Sequence, residues 1–195
     1  MKILSLISLI ILSFSAQAFE NGTEVPYFKL KGYPKDTNLS EHKGKYVVLE
    51  WYNDGCPFVR KHYDSKSMQK LQKHFKSKVV WLTINSSAPG KQGHLADLKA
   101  AEAMYKKEGM DSYSLLLDKG GKIGKMFEAK TTPHMYIIDP KGKLVYQGAI
   151  DSISSADIKD LKTADNYVYD ALDAALDGKK IKVAKTRAYG CSVKY

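Results

Sequence analysis

Cysteine is scarce in this chain of 195 residues, which contains only Cys56 and Cys191. Two cysteines allow one disulfide bridge, so a scaffold held together by several bridges is excluded. The second thiol of a Cys-x-x-Cys pair is also missing, because Val59 occupies its position after Cys56. A thiolate at Cys56 would therefore need a partner thiol elsewhere, in this chain or in another molecule.

Several ligand-binding patterns are absent as well. The five histidines show no metal-ligand spacing with each other or with the cysteines, so we expect no metal site. The chain has neither a phosphate-cradling glycine loop nor a dinucleotide fingerprint, so we expect no nucleotide, flavin or other cofactor. The formal net charge is +10, but the lysines are dispersed and no arginine-rich helix is present. This distribution favours a solvated surface and predicts no nucleic-acid partner.

Long apolar runs are confined to the start of the chain. Residues 1–18 have one charge, at Lys2, an apolar run from Ile3 to Phe14, and a small-residue cleavage motif that ends at Ala18. This pattern predicts a signal peptide cleaved after Ala18, with an uncleaved anchor as the alternative. We expect a periplasmic or secreted protein with no membrane span after cleavage. Residues 19–178 are predicted to form one domain, and residues 179–195 a basic tail that carries Cys191.

Hydrophobic periodicity predicts alternating strands and helices. Helix-linked strands pair in parallel, whereas the turn Pro140-Lys141-Gly142 joins an antiparallel hairpin. The expected fold class is therefore α/β, with a mixed central sheet and helices on both faces. Strands are predicted over residues 25–30, 46–52, 78–84, 114–117, 134–139 and 143–149, and helices over 57–75, 94–107, 123–127 and 165–176.

Cys56 lies where a predicted strand gives way to a helix. Asn53-Asp54-Gly55 is a turn signal, and Pro57 suits the first turn of a helix. A sulfur beside free helix amides has a lowered pKa, which favours the reactive thiolate. The alternative is a buried structural cysteine. The strand-end turn followed by Cys-Pro favours the reactive role.

Three segments together carry a family resemblance: Gly55-Cys56-Pro57-Phe58-Val59, Thr131-Thr132-Pro133 and Gly190-Cys191-Ser192. The combination resembles thioredoxin-fold redoxins of the alkyl hydroperoxide reductase and thiol-specific antioxidant family, and among them the peroxiredoxin-like branch. The resemblance implies a thioredoxin-like fold from about Val25 to Leu176. It also implies a cis bond before Pro133, facing Cys56, where the backbone accepts an extended partner. The alternative for Pro133 is an ordinary proline that begins a strand.

The resemblance further assigns candidate site residues. It implies that substrate contacts Asn53, Gly55, Pro57, Thr132 and Pro133. True peroxiredoxins have threonine or serine at the position of Asn53, and an arginine where this chain has Pro133. Both departures remove groups that orient a peroxide.

Glu50 is the one charged residue in an otherwise apolar strand, at the position of the buried acid of thioredoxins. Burial would raise its pKa and allow proton transfer during thiol exchange. The alternative is a strand-edge carboxylate paired with a lysine. Arg60, Lys61 and His62 could hold a thiolate or an anionic substrate, but a solvated basic helix face is the favoured interpretation.

These features predict a thiol-dependent oxidoreductase of the cell envelope. Cys56 would attack a protein or small-molecule disulfide, or a hydroperoxide, and Cys191 would resolve the product. An extended tail would give Cys191 the necessary reach and mobility, and an external thiol reductant would reset the pair. The alternative is a non-enzymatic binding protein with a permanent Cys56 to Cys191 disulfide.

Overall fold

A computed structural model describes residues 20–195 of the chain. The predicted signal peptide and its cleavage site after Ala18 lie outside these residues. Within residues 20–195, no helix is both long and apolar enough to cross a bilayer.

The described part of the chain folds into nine strands and five α-helices. The strands are β1 (Lys29–Tyr33), β2 (Thr37–Asn38), β3 (Tyr46–Trp51), β4 (Val79–Asn85), β5 (Ser114–Leu117), β6 (Thr131–Thr132), β7 (His134–Ile138), β8 (Leu144–Gly148) and β9 (Cys191–Ser192). The helices are α1 (Pro57–Asp64), α2 (Ser67–Phe75), α3 (Leu98–Glu108), α4 (Lys122–Met126) and α5 (Tyr167–Leu176). Short 3-10 helices cover Leu39–His42 and Ile158–Lys162.

Seven strands form one mixed sheet in the order β2-β1-β5-β4-β3-β7-β8. The three inner strands β5, β4 and β3 run parallel, and β7 and β8 extend the sheet in antiparallel fashion. A separate two-stranded ribbon joins β6 to β9 near the C-terminus. The predicted α/β class and mixed sheet are confirmed.

Helices and loops cover both faces of this sheet. Successive side chains of β3 point to opposite faces of the sheet, so that Val48 packs into one core cluster and Leu49 into the other. Helices α1, α2, α3 and α5 cover the Val48 face. The Leu49 face is covered by α4 and by the segment before β3, which supplies Phe28. Because β3 is covered on both faces, it reads as a nearly continuous apolar run.

Three predicted elements differ from the structure. The single helix expected over residues 57–75 is wrong, because the backbone of Lys66 is left-handed (φ 62°) and separates α1 from α2. Helix α3 begins at Leu98 rather than His94, since the carboxylate of Asp97 accepts a hydrogen bond from the Ala100 amide as an N-cap. The strand expected over residues 25–30 is shifted, because β1 pairs with β5 through Lys31, Gly32 and Tyr33.

The segment 179–195, predicted as a tail, packs against the domain. It first follows β8, where the Gln147 amide donates to Ala184 O (3.1 Å) and the Thr186 amide donates to Gln147 O (3.0 Å). It then crosses to β6 and adds β9 beside it. This course brings the end of the chain to the N-terminus of α1.

Candidate active site

Cys56 is the N-cap residue of α1, directly after the turn that ends β3. Its backbone is extended (φ −87°), and its carbonyl accepts the first intrahelical bond from the Arg60 amide (2.9 Å). The Cys56 side chain is fully buried, and its thiol donates a hydrogen bond to Thr132 O at 3.0 Å. The predicted position at a strand-to-helix junction is therefore observed.

Cys191 lies against Cys56, although the two residues are far apart in the chain. Both are free thiols in this structure, and a side-chain hydrogen bond links them. Strand β9 sets this contact, because Cys191 pairs with Thr132 and Ser192 with Thr131 in an antiparallel register. The structure thus brings the two predicted catalytic cysteines together.

The loop before β7 forms the other wall of the site. The peptide bond between Thr132 and Pro133 is cis, as the family resemblance implies. Gly190 approaches this loop so closely that an added Cβ would lie 2.1 Å from Thr132 O. Its φ of 135° also belongs to the region that favours glycine. Only glycine at position 190 therefore lets the tail reach Thr132 in this way.

The two thiols have opposite pKa shifts. Burial acts to raise the pKa of Cys56, but hydrogen bonds from the side chains of Cys191 and Thr132 and from backbone amides outweigh it, so that this pKa lies below its ordinary value. Burial and the neighbouring Cys56 raise the pKa of Cys191 to about 11. Cys56 is therefore the more acidic thiol of the pair, the property that a nucleophilic cysteine requires.

Glu50 is completely buried, on the same face of β3 as Val48. Tyr63 Oη donates to one carboxylate oxygen at 2.7 Å, and Trp81 Nε1 donates to the other at 2.7 Å. Gln72 and Thr83 donate to the same oxygen as Trp81. Burial nevertheless dominates and raises the pKa of Glu50. Its partners are neutral donors rather than the lysine considered from sequence.

The turn before Cys56 is fastened to the loop that follows β4. The Asn53 side chain is fully buried, accepts a hydrogen bond from the Gly55 amide (2.9 Å) and donates to Gln92 O (3.0 Å). Gln92 Nε2 in turn donates to Gly55 O at 2.9 Å. The Asn53 amide is thus engaged within the protein, whereas Gly55 and Pro57 are exposed at the rim of the site.

The expectation of a solvated basic face on α1 is wrong for two of its three residues. The Lys61 side chain is fully buried, and its Nζ lies 2.9 Å from Asp151 Oδ2. His62 is buried beside the same carboxylate, and burial lowers the pKa of His62 to about 4. Arg60 is partly exposed and forms a two-pronged ion pair with the buried Glu108, at 2.7 and 2.8 Å. These basic residues stabilise packing contacts of α1.

Sequence reasoning missed Asp151 and Tyr189, which meet Lys61 in the folded protein. The Tyr189 hydroxyl donates to Asp151, and Lys61 Nζ lies 3.4 Å from that hydroxyl. A lysine between Arg60 and His62 gives no local signal of burial, so only the tertiary contacts show the cluster. Within residues 20–195, no group of three acidic, histidine or cysteine residues is arranged to hold a metal ion.

Comparison with known proteins agrees with this architecture. The family model described as the AhpC/TSA family matches residues 21–147. The chain belongs to the AhpC/TSA family. The thioredoxin-like fold predicted from sequence is thereby confirmed.

Individual relatives of this AhpC/TSA protein are distant. The thiol-disulfide oxidoreductase ResA of Bacillus subtilis (strain 168) is 25% identical over 134 residues, which cover 66% of this chain and 67% of ResA. An uncharacterized conserved protein from Geobacillus kaustophilus has a similar crystal structure, with a TM-score of 0.73, 22% identity, and coverage of 91% and 93% of the two chains. The thioredoxin domain of a thiol-disulfide oxidoreductase from Bacteroides vulgatus aligns with a TM-score of 0.53 and 17% identity, covering 74% and 96%.

Replacing Cys191 should change the acidity of Cys56. In Cys191→Ala the thiol that donates to Cys56 is lost, so we expect the pKa of Cys56 to rise. Cys191→Ser is the matched control, because its hydroxyl can still donate and should give a smaller rise. Ultraviolet absorbance of the thiolate as a function of pH measures both. An unchanged pKa in Cys191→Ala would show that the tail does not stabilise the thiolate.

Glu50→Gln should alter how stability depends on pH. The pKa of Glu50 is raised in the folded state above its ordinary value of 4.5, so the folded protein resists ionisation of this group. As the pH rises from 4.5 through the folded-state pKa, the wild type should lose free energy of unfolding relative to Glu50→Gln. Urea unfolding at several pH values measures the difference. If the difference in free energy of unfolding between the two proteins did not change with pH, the raised pKa of Glu50 would be contradicted.

Proposed function

We propose that this protein is a thiol-disulfide oxidoreductase of the cell envelope or extracellular space, and that Cys56 and Cys191 are its working pair. The observation that carries the proposal is the contact between the two thiols, with the pKa of Cys56 lowered and that of Cys191 raised to about 11. Two cysteines that served only as a structural bridge would not need different pKa values. The name of the relative ResA supports disulfide chemistry.

The reaction would proceed by two thiol-disulfide exchanges. The Cys56 thiolate attacks one sulfur of a substrate disulfide, forms a mixed disulfide and releases the other substrate sulfur as a thiolate. Cys191 loses its proton to that released thiolate and then attacks the Cys56 sulfur. The second exchange forms the Cys56 to Cys191 disulfide and releases the remaining substrate thiol. An external dithiol reduces the pair, so the substrate gains the two electrons that the dithiol loses.

The surroundings of Cys56 favour a disulfide over a hydroperoxide as substrate. Peroxide reduction would need hydrogen-bond donors aimed at the peroxide oxygens, and the Asn53 amide is engaged with Gly55 and the loop at Gln92. The proposal keeps the peroxiredoxin-like branch expected from the sequence motifs and assigns disulfide exchange as its chemistry. Gly55, Pro57, Thr132 and Pro133 would form the rim and wall that the substrate contacts. The family resemblance assigned Asn53 to substrate binding, but in this proposal its side chain holds the turn before Cys56 in shape.

Glu50 would act as the proton carrier of the pair. It is fully buried with a raised pKa, so its carboxyl keeps a proton more readily than an exposed glutamate does and would pass it on when a thiolate leaves. Tyr63 and Trp81 fix its two oxygens in place. The proposal requires no metal, flavin or nucleotide.

Trapping of a mixed disulfide tests the function directly. In Cys191→Ser, Cys56 can attack a disulfide but cannot be resolved from within the chain, so one equivalent of oxidised glutathione, a disulfide of two monothiols, should leave a stable glutathione adduct on Cys56. Intact-mass analysis detects the adduct. The wild type should instead form the internal disulfide, and the control Cys56→Ser should form neither product. Absence of an adduct in Cys191→Ser would refute the catalytic role of Cys56.

The redox potential distinguishes a working pair from a permanent bond. Equilibration with glutathione should give a potential above about −300 mV for Cys56 and Cys191, whereas structural disulfides fall below this value. A lower potential would support the non-enzymatic binding protein with a fixed bridge. Consumption of hydrogen peroxide no faster than by a free thiol would exclude a peroxidase in the same experiment series.

A further inference from the structure

The final residues of the chain dock beside the loop that faces Cys56. Beyond β9, the Val193 amide donates to Lys130 O at 3.1 Å, Lys194 O accepts from the Ala88 amide at 2.7 Å, and the Tyr195 hydroxyl donates to Ala129 O at 2.8 Å. With the tail in this position, Cys56 has 0% of its surface exposed. A substrate disulfide therefore cannot reach Cys56 in this conformation.

A buried charged cluster fastens the tail just before Cys191. Tyr189 donates its hydroxyl proton to Asp151, which is 2% exposed. Lys61 Nζ lies 2.9 Å from Asp151 Oδ2, and it donates to Ile153 O at 2.9 Å and to the Tyr189 hydroxyl at 3.4 Å. Lys61 and Asp151 lie in the body of the domain, whereas Tyr189 lies in the tail.

This arrangement suits a reversible closure. The ion pair of Lys61 and Asp151 belongs to the domain whether or not the tail is docked, and it therefore presents a ready partner for the Tyr189 hydroxyl. Hydrogen bonds to charged groups are about twice as strong as those between neutral groups. The Tyr189 ring also packs against Phe58 on α1, with a centroid distance of 5.8 Å. Replacing Tyr189 with phenylalanine would therefore remove the hydroxyl contacts and keep the ring contact.

We propose that Lys61, Asp151 and Tyr189 form a latch that closes residues 189–195 over Cys56. In this latch Tyr189 is a positioning residue for Cys191. The closed latch holds Cys191 against Cys56 for the resolving step, and the open latch admits the substrate. The consequence for catalysis rests on the proposed function, whereas the closure itself is a property of the fold.

The closure is tested by the accessibility of Cys56 in a Cys191→Ser background, where no internal disulfide can form. Tyr189→Phe removes the hydroxyl and keeps the ring on Phe58, and it should raise the rate of Cys56 alkylation by iodoacetamide by roughly 10-fold. Tyr105→Phe is the matched control, because Tyr105 donates to Ser112 O at 2.6 Å on another side of the domain. It should leave the rate unchanged. Equal rates in the two variants would overturn the latch.

Amide hydrogen exchange separates local opening from loss of the fold. Tyr189→Phe should accelerate exchange at Val193 and Ala88, whose amides mark tail docking, and should leave β3 and β4 protected. Faster exchange throughout β3 and β4, or failure of the variant to fold, would assign Tyr189 to general stability and overturn the proposal.

A redox measurement tests whether Tyr189 positions Cys191. With Cys191 in place, Tyr189→Phe should lower the equilibrium constant for forming the Cys56 to Cys191 disulfide by about 10-fold, which corresponds to a potential about 30 mV less negative. An unchanged potential would refute positioning by Tyr189. Failure of the oxidoreductase function would appear as no trapped mixed disulfide, and it would leave the alkylation and exchange results intact.

Discussion

The pairing of β9 with β6 is the interaction on which the site depends. It places Cys191 opposite Thr132, and Thr132 O accepts the hydrogen bond from the Cys56 thiol. The ribbon has only two residues on each side, so its own hydrogen bonds contribute little. Contacts of Tyr189 and Tyr195 on either side of it hold it in place. The second thiol is thus supplied by a docked chain end instead of by the next turn of α1.

Buried charge is the second organising feature. Glu50 is held by neutral donors and has a raised pKa, whereas Asp151 is paired with a lysine that is equally buried. Burying an isolated charge is energetically unfavourable, so each such group must be neutralised or paired. The raised pKa of Glu50 shifts it toward the first solution. The ion pair of Asp151 with Lys61, beside the docked Tyr189, is an example of the second.

The order of the main strands and helices along the chain, and the class of the fold, were accessible from the sequence. Strands β3, β4, β5 and β7 carry apolar runs that a doubly covered sheet requires, and their predicted ranges lie within about one residue of those observed. The single helix expected over residues 57–75 failed because Lys66 carries no signal for a left-handed backbone. Glycine or asparagine would have marked such a break, but lysine adopts it here under the constraint of packing α1 and α2 together.

Local sequence was enough to locate the candidate nucleophile. Cys56 after a strand-end turn and before Pro57, with Thr132 and Pro133 upstream of a later strand, specifies a thiol at a helix N-terminus facing a proline loop. The folded structure was needed to show that Cys191 touches Cys56, and that Lys61 is buried with Asp151 and Tyr189. The reason is physical: local patterns record backbone preference and amphipathic faces, whereas contacts between distant segments depend on how the whole chain closes on itself.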